Sequence, residues 1–210
     1  MNGIDYTHAL ASLSAEEGVF TTAQAARFDI PRDVLARAYA AGKIERVTRG
    51  AYRAAYVASS YLDEIVAAWK LTAPSKLTWE RMVRASWDGV AVGGATASAL
   101  NGIGDFYLTP IRMYSQKRFN TRNPGVSVAI RHVDREDVDF EHGFAETRME
   151  RTLIDLVLDD EELSLVQDAY EDAVDKGLDV TRLRGVVSRL TVRERRKVEA
   201  AFGEGGLHGL

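Results

Sequence analysis

Along the first quarter of the chain, apolar positions recur first at helical spacing and then at strand spacing. Leu10 and Leu13 mark the inner side of a first helix over residues 6–17, which Gly18 ends. Thr21 followed by Gln24 matches a capping box, in which each side chain satisfies the other residue's backbone N–H. A second short helix therefore starts there and runs to about Phe28. Asp29-Ile30-Pro31 interrupts it, and Pro31 suits the first turn of a third helix because its missing N–H has no partner to lose. In that helix, over about 31–41, Val34, Leu35, Ala38 and Tyr39 share the inner face. Arg32, Asp33, Ala36, Arg37 and Ala40 share the outer one, and Gly42 closes the helix in a left-handed conformation. Lys43 to Val47 then alternates as a strand, Thr48-Arg49-Gly50 turns, and Ala51-Tyr52-Arg53 returns as a second strand. Helix, short helix, turn, helix and hairpin is the layout of a winged helix-turn-helix, expected over residues 1–57.

The pattern changes downstream. Leu62, Ile65, Val66 and Trp69 form a helical apolar stripe, and Pro74-Ser75 separates it from a second around Trp79, Met82 and Val83. Trp69, Trp79 and Trp87 are expected to pack in cores or at a domain junction rather than stack on bases. From Gly89 onward the chain reads as mixed α/β. Strands are expected at 90–92, 111–114, 126–130 and 144–147, and helices at 95–100, 149–158 and 161–176. In the helix at 161–176, Leu163, Val166, Ala169, Tyr170, Ala173 and Val174 are expected to point inward. Thr191 with Glu194 is another capping-box match and opens a last helix carrying Val198 and Phe202. The fold class is therefore mixed α/β: an N-terminal winged helix followed by an α/β domain with several packed helices over residues 58–210.

Charge sharpens this picture. The chain of 210 residues carries a formal net charge of −4, which taken alone argues against nucleic acid. The mean conceals segregation. Residues 27–53 hold seven bases, Arg27, Arg32, Arg37, Lys43, Arg46, Arg49 and Arg53, against three acids. Acids dominate from Asp134 to Asp179, and Arg182 to Lys197 is basic again. The bases of the first cluster lie on the third helix and the hairpin, the two elements that would meet a duplex. The major groove admits one helix, and a small outer face lets its backbone approach the bases. Wing arginines would hold phosphates or the minor groove. Expected contacts with double-stranded DNA are Thr22, Arg32, Arg37, Lys43, Arg46, Arg49, Tyr52 and Arg53. The alternative is a winged helix used as a protein-interaction module.

The ordered motifs resemble those of AbiEi-type antitoxins of type IV toxin–antitoxin systems. The chain has Phe20, Thr21 and Gln24, then Gly42, Ile44 and Arg46, then Arg49, Gly50 and Tyr52, where that family has Phe-Thr-x-x-Gln, Gly-x-Leu-x-Arg and Arg-Gly-x-Tyr. Thr96-Ala97-Ser98-Ala99-Leu100-Asn101-Gly102-Ile103 is similar to its Thr-Ala-x-x-Leu-x-Gly-Leu helix, and Arg151 to Leu156 to its Arg-Thr-Leu-x-Asp-Leu helix. Asp29 departs from it, standing where relatives often place a turn glycine. The resemblance implies a promoter-binding antitoxin that represses its own operon from inverted repeats, two copies to an operator, and that counteracts a nucleotidyltransferase-like toxin.

One feature bears on a protein partner. Asp168, Glu171, Asp172 and Asp175 form an acidic stripe at i, i+3, i+4 and i+7, a spacing at which like charges destabilise a helix by roughly 0.2–0.5 kcal/mol per pair. The simplest account is a solvated face; a basic toxin surface, or Arg193, Arg196 and Lys197 of the same chain, would offset the repulsion.

Catalytic chemistry finds little support. His132, Asp134 and His142 match no metal-ligand spacing, and the chain has no cysteine. Asp137-Val138-Asp139 lacks the nearby Gly-Ser turn of nucleotidyltransferases and reads as a loop. Gly89 to Gly94 lacks the Gly-Lys-Ser/Thr ending of a phosphate loop. No enzyme activity, cofactor or metal is expected, and no membrane span or signal pattern is visible, so a cytoplasmic location is expected. Two other classes stay open: a one-component regulator whose α/β domain senses a ligand, and a nuclease targeted by its winged helix.

Overall fold

The computed structural model describes residues 6–121 and 123–206. It divides into two compact units, one running to Asp88 and including 142–144, the other holding Gly89–Glu141 and the chain from Ala145. The architecture is mixed α/β, and the first unit opens as a winged helix.

Helix α1 (Thr7–Glu17) stops at Gly18, which has a φ of +61°. Strand β1 (Phe20–Thr21) leads into α2 (Thr22–Arg27) through the expected capping box. The Gln24 N–H donates to Thr21 Oγ1 at 3.0 Å and the Thr21 N–H to Gln24 Oε1 at 2.8 Å. Asp29 takes the left-handed backbone of a turn glycine, at φ +56°, a conformation aspartate tolerates better than most residues. Helix α3 (Arg32–Ala40) follows, then the hairpin β2 (Ile44–Thr48) and β3 (Ala51–Ala54). Strand β3 lies between β1 and β2 in an antiparallel sheet.

That sheet is covered on both faces. Leu13, Phe20, Ala25, Ile30, Leu35 and Ile44 form one core with α1, α2 and α3. Helix α4 (Asp63–Leu71) brings Ala67 against Val19 and Ala51, with Val47 and Leu71 beside them, in a second core. The boundary expected at residue 57 therefore falls inside the first unit, which continues through α4 and α5 (Thr78–Met82). Without α4, Ala51 and Val47 would face water. Trp69 is fully buried, with the Arg81 guanidinium 3.6 Å above its ring. Trp79, expected to pack, is 55% exposed because the single turn of α5 directs Arg81 inward instead.

A buried ion pair ties these pieces together. Lys70 Nζ donates to Glu17 Oε2 at 2.5 Å, with side-chain exposures of 2% and 0%. The same carboxylate accepts from Gln24 Nε2 at 2.9 Å, Thr78 Oγ1 at 2.7 Å and the Thr78 N–H at 3.0 Å. Burial pulls the Lys70 ammonium below its ordinary range, while Glu17 acts against that pull.

In the second unit β4 (Ala91–Val92), β5 (Ile111–Ser115), β6 (Val126–Ile130), β7 (Val138–Asp139) and β8 (Glu146–Thr147) form a mixed sheet in the order β6-β5-β4-β8-β7. Helices α6 (Gly94–Asn101), α7 (Met149–Leu158), α8 (Leu163–Asp175), α9 (Val180–Arg189) and α10 (Val192–Gly206) complete it. Val138-Asp139, read from sequence as a loop, is an edge strand paired with β8. Helix α9 is an element the sequence reading passed over, although Asp179 caps it, accepting the Arg182 N–H at 2.9 Å. In α8 only Val166, Ala169 and Ala173 are buried; Leu163 and Val174, expected inside, are 57% and 50% exposed. The inner stripe is narrower than the apolar pattern suggested.

Helix α7 is buried from Glu150 to Val157, polar residues included. Thr152 donates to the Thr147 carbonyl at 3.0 Å, and Glu150 accepts the Asp179 N–H at 3.0 Å. Arg151 and Asp155 belong to a line of alternating charges. Arg112 and Arg131 hold Asp159 at 2.7 Å each, Arg131 and Arg151 hold Asp155 at 3.0 Å each, and Arg189 holds Asp137 at 2.5 Å. Burial raises the Asp159 carboxyl, but Arg112, Arg131 and the Tyr114 hydroxyl together hold it below the usual range. For Asp155 burial prevails and its pKa rises.

The glycines at 93 and 94 serve packing, not phosphate. A Cβ on Gly93 would stand 2.2 Å from the Tyr114 ring.

Two stability outcomes follow. Lys70→Met leaves the Glu17 carboxylate buried without its cation and should lower unfolding free energy by about 3–5 kcal/mol in urea denaturation. Gly93→Ala should cost about 1–3 kcal/mol by overpacking against Tyr114, and a loss under 0.5 kcal/mol would show that the ring gives way freely.

Candidate nucleic-acid interface

Helix α3 buries Val34, Leu35 and Ala38 and exposes Arg32, Asp33, Ala36, Arg37 and Ala40, as the spacing requires. Tyr39, expected on the inner face, is 45% exposed at the margin between the two. Arg37 pairs with Asp33 at 2.9 Å, both well exposed. A pair of that kind contributes little and exchanges readily for another anion.

The hairpin separates its arginines by strand parity. Arg46 lies opposite Tyr52, and Glu45 opposite Arg53. On the face shared with α3, the Arg46 guanidinium sits 4.8 Å from the centre of the Tyr39 ring and 5.7 Å from that of Tyr52. On the opposite face, Arg53 binds Glu45 and the Val57 carbonyl and pairs with Asp63 at 3.2 Å. Its side chain is 13% exposed, so it holds the hairpin to the start of α4 rather than standing free.

The other expected contacts divide in the same manner. Thr22 opens α2 and donates its N–H to the Gly50 carbonyl at 3.0 Å, which ties the helix-turn-helix to the wing turn. Tyr52 is half-buried against the first core. Lys43 and Arg49 are exposed, Arg49 at the hairpin turn beside Gly50, whose φ is +89°. Arg32, Lys43, Arg46 and Arg49 make no ion pair among the described residues. Arg27, counted in the same basic segment, is committed internally to Glu80 at 2.6 Å and to the Ser75 carbonyl. The Arg27 hydrogen bond, helped by the Leu77 N–H, holds the Glu80 carboxyl below its usual range.

In the second unit the acidic stripe is exposed on α8. Asp172 accepts the Gly104 N–H at 2.7 Å, and Glu171 accepts from Gln167 at 3.1 Å. The basic segment after Arg182 does not turn to this stripe. Arg189 reaches Asp134, Glu136 and Asp137, and Lys197 pairs with Asp160 at 2.7 Å. His132 donates to or accepts from Gln116 and Asp134, at 2.7 and 2.8 Å, while His142 stacks on Phe144. Among the described residues no three His, Asp or Glu side chains gather as a metal site.

What sequence reasoning missed is the division of the basic segment into free and committed cations. The available signal was parity: Arg46 and Arg53 cannot share a face when Arg46 lies opposite Tyr52 in the hairpin.

Residues 8–55 match the family model described as transcriptional regulator, AbiEi antitoxin. The fold is similar to the crystal structure of the RV2827C protein from Mycobacterium tuberculosis, with a TM-score of 0.57 over 93% of this chain and 75% of that one. At 14% identity that likeness is one of fold. No curated protein matches the sequence. With helix, turn, helix and wing in place over the matched residues, the N-terminal segment of the chain is similar to the AbiEi antitoxins and transcriptional regulators that this model describes.

Proposed function

We propose that this chain is a DNA-binding antitoxin of the cytoplasm that represses its own operon and counteracts a nucleotidyltransferase-like toxin. The observation that carries the DNA-binding part is the free cationic face of α3 and the hairpin: Arg32, Lys43, Arg46 and Arg49, with Arg37 loosely held by Asp33. Such a face suits a helix in the major groove and a wing on the backbone. Thr22 and Tyr52 belong to this reading as supports of the surface, and Arg53 as the clamp behind it. The operator would carry inverted repeats occupied by two copies. No cofactor or metal enters this function, and no catalytic step is assigned to the chain.

The antitoxin part rests on the family match and on the exposed acids of α8 as a surface for a basic partner. Asp168, Glu171 and Asp175 are the members offered to the partner, since Asp172 also holds the Gly104 backbone; Glu171 meets only Gln167 of its own helix among the described residues. No helix among the described residues is long and apolar enough to cross a membrane.

The deciding experiment is a salt-titrated gel shift against DNA upstream of the protein's own gene. Saturable binding that survives competitor DNA and weakens with salt is expected; no shift even at low salt would leave the winged helix as a protein-interaction module. Arg37→Ala should cost about 1–3 kcal/mol on the operator and far less on unrelated duplex. Arg49→Ala should weaken binding to every sequence alike and reduce the salt slope by about 1. Arg53→Ala should lower thermal stability and leave the salt slope as it was.

For the second role, Asp168→Lys, Glu171→Lys and Asp175→Lys together should abolish protection when antitoxin and toxin are co-expressed, while operator binding persists. Intact protection by this variant would remove α8 from the toxin surface.

A further inference from the structure

The cationic face has one member that differs from the rest. Arg32, Lys43 and Arg49 extend from the surface on unrestrained side chains, but Arg46 lies over two tyrosine rings. Tyr39 and Tyr52 meet edge to face with centroids 6.4 Å apart, and the guanidinium covers the corner they make. Tyr52 is held in turn by Phe20, 6.2 Å away, so the corner is anchored in the first core. Tyr39 exposes 45% of its surface. It is a large aromatic side chain in the last turn of α3, where the inner face is already filled by Val34, Leu35 and Ala38. Glu45, the nearest acid in sequence, points to the other face of the hairpin and is taken by Arg53.

We infer that Tyr39 is a positioning residue for DNA binding: its ring holds Arg46 in the orientation in which the guanidinium meets the duplex beside α3. This rests on the DNA-binding reading above. An arginine side chain loses much rotamer freedom on binding, and one already laid on a ring loses less. A guanidinium over an aromatic face also keeps its N–H donors free at the edge, available to phosphate or a base. Tyr39 thereby joins the exposed surface of α3 to that of β2, so that the helix and the wing present one continuous face.

The test is a double-mutant cycle on a duplex taken from upstream of the gene, at fixed salt. Tyr39→Leu should weaken binding about two- to fivefold, the size of one exposed cation–π contact, and Tyr39→Phe should recover most of that loss. In an Arg46→Ala background, Tyr39→Leu should change affinity by less than about twofold. An equal loss in both backgrounds would make Tyr39 a packing residue, and failure of phenylalanine to rescue would assign the effect to its hydroxyl; either overturns the inference. A second measurement needs no DNA. In the free protein the Arg46 side-chain protons should be shifted upfield by the rings in NMR spectra, and Tyr39→Leu should remove most of that shift. Absence of the shift overturns the stack itself, whereas wild-type protein that stacks Arg46 yet binds no duplex overturns the DNA-binding reading instead.

Discussion

The first unit depends on a carboxylate that has no access to water. Glu17 ends α1 and accepts hydrogen bonds from α2 through Gln24, from α4 through Lys70 and from the start of α5 through Thr78. A buried carboxylate is costly unless every lone pair finds a donor, and here the donors come from elements far apart in sequence. Gln24 is also half of the capping box that starts α2, so the same side chain sets both the helix start and its attachment to the rest of the unit. The start of α2 is thus tied to α1, α4 and α5 by one polar knot. An apolar core alone would tolerate small rotations there; a carboxylate with assigned donors does not.

The hairpin then divides its charge according to which face of the sheet each residue occupies. One face packs on α1 to α3 and carries Arg46 with Tyr52, and the other packs on α4 and carries Glu45 with Arg53. Arg53 reaches Asp63 in the first turn of α4, where it also spans back to Glu45. Parity keeps Arg53 off the face of Arg46, and the clamp neutralises Glu45, the acid next to Arg46 in sequence. The positive character of the α3 side is therefore sharper than a count of charges suggests.

This explains what sequence reading reached and what it did not. Local devices were legible because their partners lie within a few residues: the capping boxes at Thr21 and Thr191, the stop at Gly18, the outer face of α3, and the hairpin at Arg49-Gly50. The layout of the winged helix followed from them. The fate of Arg27 and Arg53 was not legible, since Glu80 and Asp63 are acids among many and only the fold selects them. The same holds for the extent of the first unit. Nothing in the stripe Leu62, Ile65, Val66 and Trp69 says which sheet face it covers, and the answer moved the boundary from residue 57 to Asp88.

The second unit uses charge in the opposite sense. Its basic and acidic segments looked like surfaces for partners, yet much of that charge is spent internally. Arg112, Arg131, Arg151 and Arg189 alternate with Asp159, Asp155 and Asp137 along a line that ties β5, the end of β6, α7 and α9 together. Arg151 and Asp155 are the charged positions of the helix that resembles the family's Arg-Thr-Leu-x-Asp-Leu pattern, and both are buried. In this chain the two form an ion pair one turn apart that lets an enclosed helix carry charge into the core, although Asp155 Oδ2 accepts no hydrogen bond there. What the second unit then leaves at its surface, the acids of α8 and the bases not drawn into this line, is a smaller and more specific set than the sequence shows. Burial has sorted the charges, and the surface that remains is the part of the sequence still available to a partner.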